Sequence, residues 1–231
     1  MKYFLILFSF VLLSLTACDN NTTKLYSGID AYMNNRSHEF DQISDERKAQ
    51  LEELSDFISE KIKNNEDINL TFICTHNSRR SHMAQLWAWA AAEFYGIEKV
   101  SSYSGGTEAT AFNPRAVKAV KKAGFKIEKG DQVDNPRYAT RYHDDVKPVT
   151  SFSKKFTDES NPQENFAAVM VCSDADEKCP IVSGADSRIA IPYEDPKAFD
   201  GTDKEEFAYD ERCAQIAREM LYVFSKVEKL K

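Results

Sequence analysis

Apolar residues near the start of the globular part of the chain recur at the spacing of a helix. Within residues 44–66, Leu51, Leu54, Ile58 and Ile62 follow one another at intervals of three and four, which places them on one helix face. We expect this segment to form an added helix that packs on the domain.

Downstream, short apolar runs alternate with helical patterns. The apolar runs predict strands at 69–74, 99–104, 166–172 and 188–191. The helical patterns occupy 78–95, 114–124 and 202–229. This alternation is typical of a three-layer α/β fold, in which helices cover both faces of a four-stranded parallel sheet. Ligands of such sheets bind at the carboxyl ends of the strands.

Residues at the helix ends support these boundaries. Ser44 and Asn113 are favourable N-cap residues, and Pro114 suits the first helical position. Gly96 is typical of a helix C-terminus. The spacing from Thr202 to Glu205 predicts a capping box at the start of the last helix.

Residues 129–165 interrupt the alternation. Short β-like segments around His143 indicate a β-hairpin insertion, which is followed by a polar loop. The sequence has no internal repeat and no long linker, so residues 44–231 are predicted to form a single domain.

The N-terminus differs from the rest of the chain. Lys2 is followed by an unbroken apolar stretch to Leu13, which is shorter than a membrane span and is typical of a signal peptide over residues 1–18. The stretch ends in LTAC, which resembles the bacterial lipoprotein cleavage box. That resemblance implies lipidation at Cys18 and an exported, membrane-anchored protein on the periplasmic or cell-surface side. An uncleaved N-terminal anchor is the alternative, and residues 19–43 are predicted to be a tether.

Charge narrows the range of partners. The 231 residues carry a formal net charge of -7, with 42% hydrophobic and 29% charged residues, which is an ordinary globular composition. An acidic chain of this kind is not expected to bind nucleic acid. If the ligand is an anion, the binding site itself must attract it.

The segment CTHNSRRS, from Cys74 to Ser81, lies at the predicted turn from a strand into a helix. Amides at the start of a helix have no partner within it, and together with the helix dipole they attract anions. The same field stabilises a thiolate at Cys74, and Arg80 can give an oxyanion two parallel hydrogen bonds. The segment therefore predicts a nucleophile and an oxyanion site in one place. The alternative is a buried strand-end cysteine followed by surface arginines.

CTHNSRRS resembles the phosphate loop of the low-molecular-weight protein tyrosine phosphatase superfamily, which includes the thioredoxin-coupled arsenate reductases. The segment YSGGTEATAFNPRAVKAVKKAGFKI resembles the family's second strand and following helix. The resemblance implies that the catalytic Cys74 and Arg80 are surrounded by a substrate-binding loop made of Thr75, His76, Asn77, Ser78, Arg79 and Ser81. His76 is a departure, because the family usually has glycine there.

The resemblance also implies a general acid in an Asp-Pro pair. Asp195, followed by proline, fits this role, with Glu194 as the alternative acid. Phosphotyrosine enzymes of the superfamily carry aromatic residues directly after the pair. Here Lys197 and Ala198 stand in that place, and Phe199 comes one position later.

Two further cysteines bear on whether the chain is a reductase or a phosphatase. Cys172 and Cys179, the latter followed by Pro180, resemble the redox segment of thioredoxin-coupled arsenate reductases. This implies arsenate reduction at Cys74, with Cys172 and Cys179 as a disulfide relay that a thioredoxin-like reductant resets. In an exported protein the same pair can instead be a structural disulfide. Cys213 lies on the apolar face of the last helix and is predicted to be an inert buried thiol.

Three functions stay open from the sequence. The favoured function is arsenate reduction. The second is phosphatase action on a phosphoester through a phosphocysteine, and the third is a lipid-anchored protein that binds an oxyanion without turnover. No cofactor or metal is expected, because His76 and His82 are not accompanied by a set of metal ligands.

Overall fold

The computed structural model describes residues 24–179 and 181–227. The predicted signal peptide 1–18, the lipidation site Cys18 and Pro180 lie outside the described residues. The strands are β1 (Ile68–Cys74), β2 (Val100–Gly106), β3 (Lys126–Lys129), β4 (Tyr138–Arg141), β5 (Val149–Ser151), β6 (Phe166–Met170) and β7 (Ala185–Ala190). The helices are α1 (Ser27–Ser37), α2 (Asp45–Lys63), α3 (Arg80–Tyr95), α4 (Pro114–Lys122), α5 (Ser173–Lys178) and α6 (Glu205–Lys226), with short 3-10 helices at Phe40–Gln42 and Pro196–Phe199. Among the described helices, none is both long and apolar enough to cross a membrane.

A parallel sheet in the order β2-β1-β6-β7 forms the centre of the molecule. β1 and β2 are in register from Ile68–Val100 to Cys74–Gly106, so the motif cysteine lies at the carboxyl end of a central strand. Parallel neighbours need a crossover connection, which α3 supplies between β1 and β2. The predicted fold class is confirmed: four parallel strands flanked by helices, with a separate antiparallel sheet β3-β4-β5.

α3 is buried between the sheet and α6, as expected for a helix that is apolar on nearly every side. Its Trp87 is fully buried, stacks on Tyr32 of α1 at 5.3 Å between ring centroids, and donates its indole N–H to Cys213 Sγ at 3.3 Å. Burial raises the pKa of the Cys213 thiol to about 12, which agrees with the inert role expected for it.

The observed caps match most of those expected. The side chains of Ser44 and Asn113 accept amides in the first turns of α2 and α4, and α3 ends at Gly96, whose φ is +62°. The predicted capping box of α6 is wrong. The Glu205 carboxylate accepts the amide of Gly201 at 2.7 Å, and no side chain caps the first residue of the helix.

The prediction of a tether over residues 19–43 is wrong from Ser27 onward. That part forms α1 and a 3-10 turn, and Ile29 and Met33 are fully buried in the core. These two side chains are four residues apart, so they share the face that packs on α6. Two apolar positions in a polar segment are too few to define a helical period, so this helix could not be recognised from the sequence.

α2 confirms the predicted added helix and is an integral part of the core. Leu51, Leu54 and Ile58 are fully buried, and the helix packs on α6 and β7. Burial of each such side chain is worth about 1.5–3 kcal/mol, so α2 stabilises the whole domain.

The antiparallel sheet supplies the hairpin predicted within residues 129–165, although β3 already begins at Lys126. The later part of the insertion crosses the carboxyl end of β2. There, the amide of Gly106 donates to the carbonyl of Lys154, and the amide of Phe156 donates to the carbonyl of Gly106, both at 2.9 Å. The insertion therefore reaches the sheet edge at which CTHNSRRS lies.

Candidate active site

Cys74 ends β1, and its side chain is only 3% exposed. Its sulfur lies 3.1 Å from Ser81 Oγ. The Ser81 oxygen also accepts the side-chain amide of Asn77 at 2.9 Å. Because Asn77 supplies a donor to this oxygen, the hydroxyl hydrogen of Ser81 is free to point at the sulfur. In this orientation the hydroxyl can donate a hydrogen bond to a thiolate at Cys74.

The bend of the loop is at Asn77 and not at His76. Asn77 is fully buried with a φ of +44°, a left-handed conformation that asparagine tolerates, and its Oδ1 accepts the amide of Lys154 at 2.9 Å. His76 has no positive φ, so glycine is not required at its position. Its side chain is partly exposed, and Nε2 lies 3.6 Å from a carboxylate oxygen of the exposed Glu108.

Neighbouring segments bind the carbonyl groups of the loop. The carbonyls of Cys74, Thr75, His76 and Ser78 accept, in that order, the amide of Thr107 (3.1 Å), the amide of Glu108 (2.8 Å), the hydroxyl of Ser153 (2.9 Å) and the amide of Asn113 (2.8 Å). Within the part of the chain that the structure describes, none of the amides of residues 75–79 has an acceptor. Bound carbonyls and free amides are the arrangement that an anion cradle requires.

Gly106 lets β2 approach the loop closely. A Cβ at this position would lie 2.3 Å from the carbonyl oxygen of Glu108 and 2.7 Å from both the amide nitrogen of Asn77 and the carbonyl oxygen of Thr75. All three atoms belong to the backbone, so no side-chain rotation relieves the overlap. Glycine is needed here for space and not for a positive φ.

Arg80 and Asp195, which were predicted separately as an oxyanion-binding residue and a general acid, are in direct contact. Arg80 Nη2 donates to Asp195 Oδ2 at 2.9 Å, and Nη1 donates to the carbonyl of Tyr193 at 2.7 Å. The amide of Lys197 donates to the other carboxylate oxygen of Asp195 at 3.0 Å, which fixes the carboxylate at the start of a 3-10 helix. Among described residues Arg80 makes no other hydrogen bond, so its remaining N–H groups are free for an oxyanion. The alternative acid, Glu194, is exposed.

Arg80 and Asp195 are supported by a buried group of side chains that could not be predicted from the sequence. The Arg47 guanidinium of α2 lies over the ring of Tyr193 at 4.8 Å and donates to the Glu219 carboxylate from Nε at 3.0 Å and from Nη2 at 2.8 Å. Burial raises the pKa of Tyr193, so its ring stays neutral. Residues 47, 193 and 219 are far apart in the chain, and no local pattern connects them.

Two residues of the predicted loop use their side chains elsewhere. Arg79 Nε donates to the hydroxyl of Tyr209 at 2.8 Å, and its Nη2 lies 3.7 Å from the carboxylate of Asp200. Ser78 Oγ donates to the carbonyl of Ala111 at 2.7 Å. At these two positions the amides are the groups available to a ligand.

Cys172 lies beside the phosphate loop. It follows β6, the other neighbour of β1, and its side chain is 1% exposed. Its sulfur is 3.5 Å from the hydroxyl of Thr75 and accepts the amide of Ala175 at 3.4 Å. Cys179 follows α5 and is partly exposed. The four described cysteines are all free thiols.

The insertion supports the loop through a second set of residues that the sequence analysis missed. Asn135 Nδ2 donates to the carbonyl of Ser153 at 2.8 Å, and the amide of Ser153 donates back to Asn135 Oδ1 at 3.0 Å. This pair holds the Ser153 hydroxyl against the carbonyl of His76. Polar residues in a loop give no periodic signal, so this role could not be predicted.

Two buried basic side chains belong to the surroundings of the loop. His82 is fully buried, and its Nδ1 lies 3.1 Å from Ser104 Oγ. Burial and then the nearby charge of Lys154 lower the pKa of His82, so its ring stays neutral. Burial lowers the pKa of Lys154 to about 8. In the described residues, no cluster of His, Cys, Asp or Glu side chains could hold a metal ion.

A buried strand-end thiol, a ring of free amides, and an arginine joined to an aspartate define a class of enzyme. In this class a cysteine attacks a tetrahedral oxyanion that is held by a phosphate loop.

Comparison with known proteins agrees with this class. Residues 69–159 match the family described as low molecular weight phosphotyrosine protein phosphatase. The arsenate reductase of Bacillus subtilis (strain 168) is 32% identical over 159 residues, which cover 68% of this chain and 95% of the relative. The arsenate reductase of Bacillus licheniformis is 30% identical over 158 residues, covering 67% and 93%. The low molecular weight phosphotyrosine phosphatase structure from Vibrio cholerae O395 has a TM-score of 0.48 at 11% identity and covers 68% of this chain and 95% of that chain.

The chain therefore belongs to the low-molecular-weight protein tyrosine phosphatase superfamily, close to the arsenate reductases. It is an enzyme of the arsenate reductase type or of the phosphatase type.

Proposed function

We propose that this chain reduces arsenate to arsenite, with Cys74 as the nucleophile and Cys172 and Cys179 as a disulfide relay. The position of Cys172 carries the proposal. Its thiol is buried at the end of the strand beside β1 and lies 3.5 Å from the hydroxyl of Thr75, the residue that follows Cys74. A hydrolytic phosphatase does not need a second thiol here, whereas reduction by two electrons does.

In the first step, the Cys74 thiolate attacks arsenic, a sulfur–arsenic bond forms, and one oxygen leaves as water. The loop amides and Arg80 bind the remaining oxygens, and they are in place before charge develops. The oxyanion binds the free N–H groups of Arg80 and also takes the one that donates to Asp195 in the free enzyme. Asp195 can then carry the proton that the leaving oxygen receives.

In the second step, the Cys172 thiolate attacks the sulfur of Cys74. A sulfur–sulfur bond forms, the sulfur–arsenic bond breaks, and its electron pair stays on arsenic, which leaves as arsenite. Arsenic gains the two electrons that the two thiolates lose.

In the third step, Cys179 attacks Cys172 and releases the Cys74 thiolate. The disulfide now includes the partly exposed Cys179, where a dithiol reductant of the thioredoxin class can reduce it by exchange.

The variant Cys179→Ser tests the relay, because it stops the cycle after the second step. Stoichiometric arsenate should release arsenite and leave a Cys74–Cys172 disulfide that peptide mapping detects. The control Cys213→Ser changes a buried thiol on α6 and should still turn over. Arsenite release from Cys179→Ser with Cys172 still reduced contradicts the proposal.

Phosphatase action at the same loop is the second candidate, and Phe199 supports it. Its ring is 42% exposed in the 3-10 helix that follows Asp195, and it lines a cavity of about 570 Å³ together with Pro196 and Phe207. An aromatic side chain at this place can flank an aryl phosphate. In that case Cys172→Ser should hydrolyse aryl phosphates at the wild-type rate, because a phosphocysteine mechanism needs Cys74 and no second thiol. If arsenate protects Cys74 from alkylation but neither arsenite nor hydrolysis product forms, the chain binds an oxyanion without turnover.

We further propose that the protein is exported and anchored through a lipid on Cys18. The support is the N-terminal apolar stretch and the LTAC segment. Labelled palmitate supplied to the producing bacterium should be incorporated into the wild-type chain. Cys18→Ala should abolish the label and release the protein from membranes, and an equally labelled variant contradicts the anchor.

A further inference from the structure

The relay cysteines lie at opposite ends of a short helix. Cys172 is the N-cap of α5, and Cys179 follows its last turn. Seven residues at the helical rise separate their Cα atoms by about 10 Å, whereas a disulfide needs about 4.4–6.8 Å. A Cys172–Cys179 disulfide therefore requires α5 to unwind.

Arg188 of β7 holds the end of this helix that must unwind. Its Nε donates to the carbonyl of Cys179 at 2.9 Å, and its Nη2 donates to the carbonyl of Asp176 at 2.6 Å and to the Asp176 carboxylate at 2.5 Å. The last carbonyls of a helix have no partner within it, so these bonds stabilise the helical conformation directly. Among the described residues, the side chain of Arg188 donates only to Asp176 and Cys179, while its backbone belongs to the β6–β7 pairing.

We propose that Arg188 is a positioning residue of the redox segment, which stabilises the helical dithiol form and so makes the Cys172–Cys179 disulfide easier to reduce. This inference rests on the proposed relay. The bonds to Asp176 and Cys179 are available only while α5 is helical, so they favour the dithiol over the disulfide. Stabilising the reduced form raises the reduction potential, and this speeds the resetting of the enzyme by its reductant.

The reduction potential can be measured without arsenate. In mixtures of oxidised and reduced glutathione, one oxidised glutathione takes two electrons from the two thiols. The products are the Cys172–Cys179 disulfide and two reduced glutathione molecules. The full chain carrying Cys74→Ser and purified in detergent is equilibrated in such mixtures, and the fraction of paired cysteines is read by alkylation and peptide mapping.

Arg188→Ala should shift the equilibrium about tenfold toward the disulfide, which corresponds to a potential about 30 mV more negative. Asp176→Asn retains both carbonyl bonds and should shift it in the same direction by less. Ser187→Ala, on the same strand and beside Arg188, is the matched control and should leave the potential unchanged.

Two results overturn the inference. One is an Arg188→Ala potential equal to that of the parent, and the other is an equal shift in Ser187→Ala. If Arg188→Ala does not fold, the test rests on Asp176→Asn. A reduction potential of Asp176→Asn equal to that of the Cys74→Ser parent then overturns the inference. A shifted potential in an enzyme that does not reduce arsenate would support the role of Arg188 while refuting the proposed function.

Discussion

Adding one methyl group at Gly106 should disable the phosphate loop while leaving the fold intact. The new Cβ would lie 2.3 Å from the carbonyl oxygen of Glu108, whereas ordinary contacts begin at 3.4 Å. The strand or the loop must therefore move by about 1 Å. Because the overlap also includes the amide of Asn77 and the carbonyl of Thr75, the movement falls on the anion cradle itself.

A misplacement of about 1 Å in a catalytic site can reduce the rate about 100-fold. Gly106→Ala should therefore lower kcat/KM by about two orders of magnitude, both for arsenite release and for any aryl phosphate hydrolysis. Overpacking of this kind costs about 1–3 kcal/mol in the free energy of unfolding, so the variant should remain folded.

Gly28→Ala is the matched control. A Cβ on Gly28 would meet its nearest neighbour at 3.9 Å, and the residue lies in α1, where alanine is favoured over glycine. Steady-state kinetics and urea unfolding of both variants test the reasoning. If Gly106→Ala retains the kcat/KM of Gly28→Ala, the close approach of β2 does not position the loop.

Three further predictions concern the surroundings of the site. Ser153→Ala removes the hydroxyl that donates to the His76 carbonyl and should lower kcat/KM about tenfold, with little change in urea unfolding; wild-type kinetics would contradict a supporting role for the insertion. Burial lowers the pKa of Lys154 from 10.5 to about 8, so the unfolded state binds more protons between these pH values and wild-type stability should rise with pH across them. Lys154→Met should lack this rise, and its free energy of unfolding at pH 7 should be about 3 kcal/mol higher than that of the wild type. Urea unfolding at several pH values measures both. If the free energy of unfolding depends on pH equally in the two proteins, burial does not lower the pKa of Lys154. Arg47→Met leaves the Glu219 carboxylate buried without its partner and should cost about 3–5 kcal/mol in thermal unfolding, whereas adding Glu219→Leu should recover most of the loss; full stability of the single variant would refute the role of this ion pair.

The parts of the site that were predictable are formed by contiguous sequence. Cys74 and Arg80 are placed by one strand, one turn and one helix, and each of these has a local signal in residue spacing. Asp195 could be chosen only through the family resemblance, and the structure brings its carboxylate to Arg80 across 115 positions of the chain.

The parts that were missed depend on tertiary contacts between irregular segments. Ser153 reaches the His76 carbonyl across 77 positions from within an insertion without periodicity. Ile29 and Met33 are too few to reveal α1 in a polar segment. His76 is a departure from the glycine usual in the family, but the left-handed bend of the loop is at Asn77, which only backbone geometry could show.

Arsenate reduction by this chain depends, in our proposal, on the Cys172 thiol. The most direct measurement is the release of arsenite over many turnovers, with a thioredoxin-type reductant, by the wild type, Cys172→Ser and Cys213→Ser. Cys172→Ser is expected to lose this activity, whereas Cys213→Ser is expected to keep it. Undiminished arsenite release by Cys172→Ser would show that Cys172 has no part in the reduction.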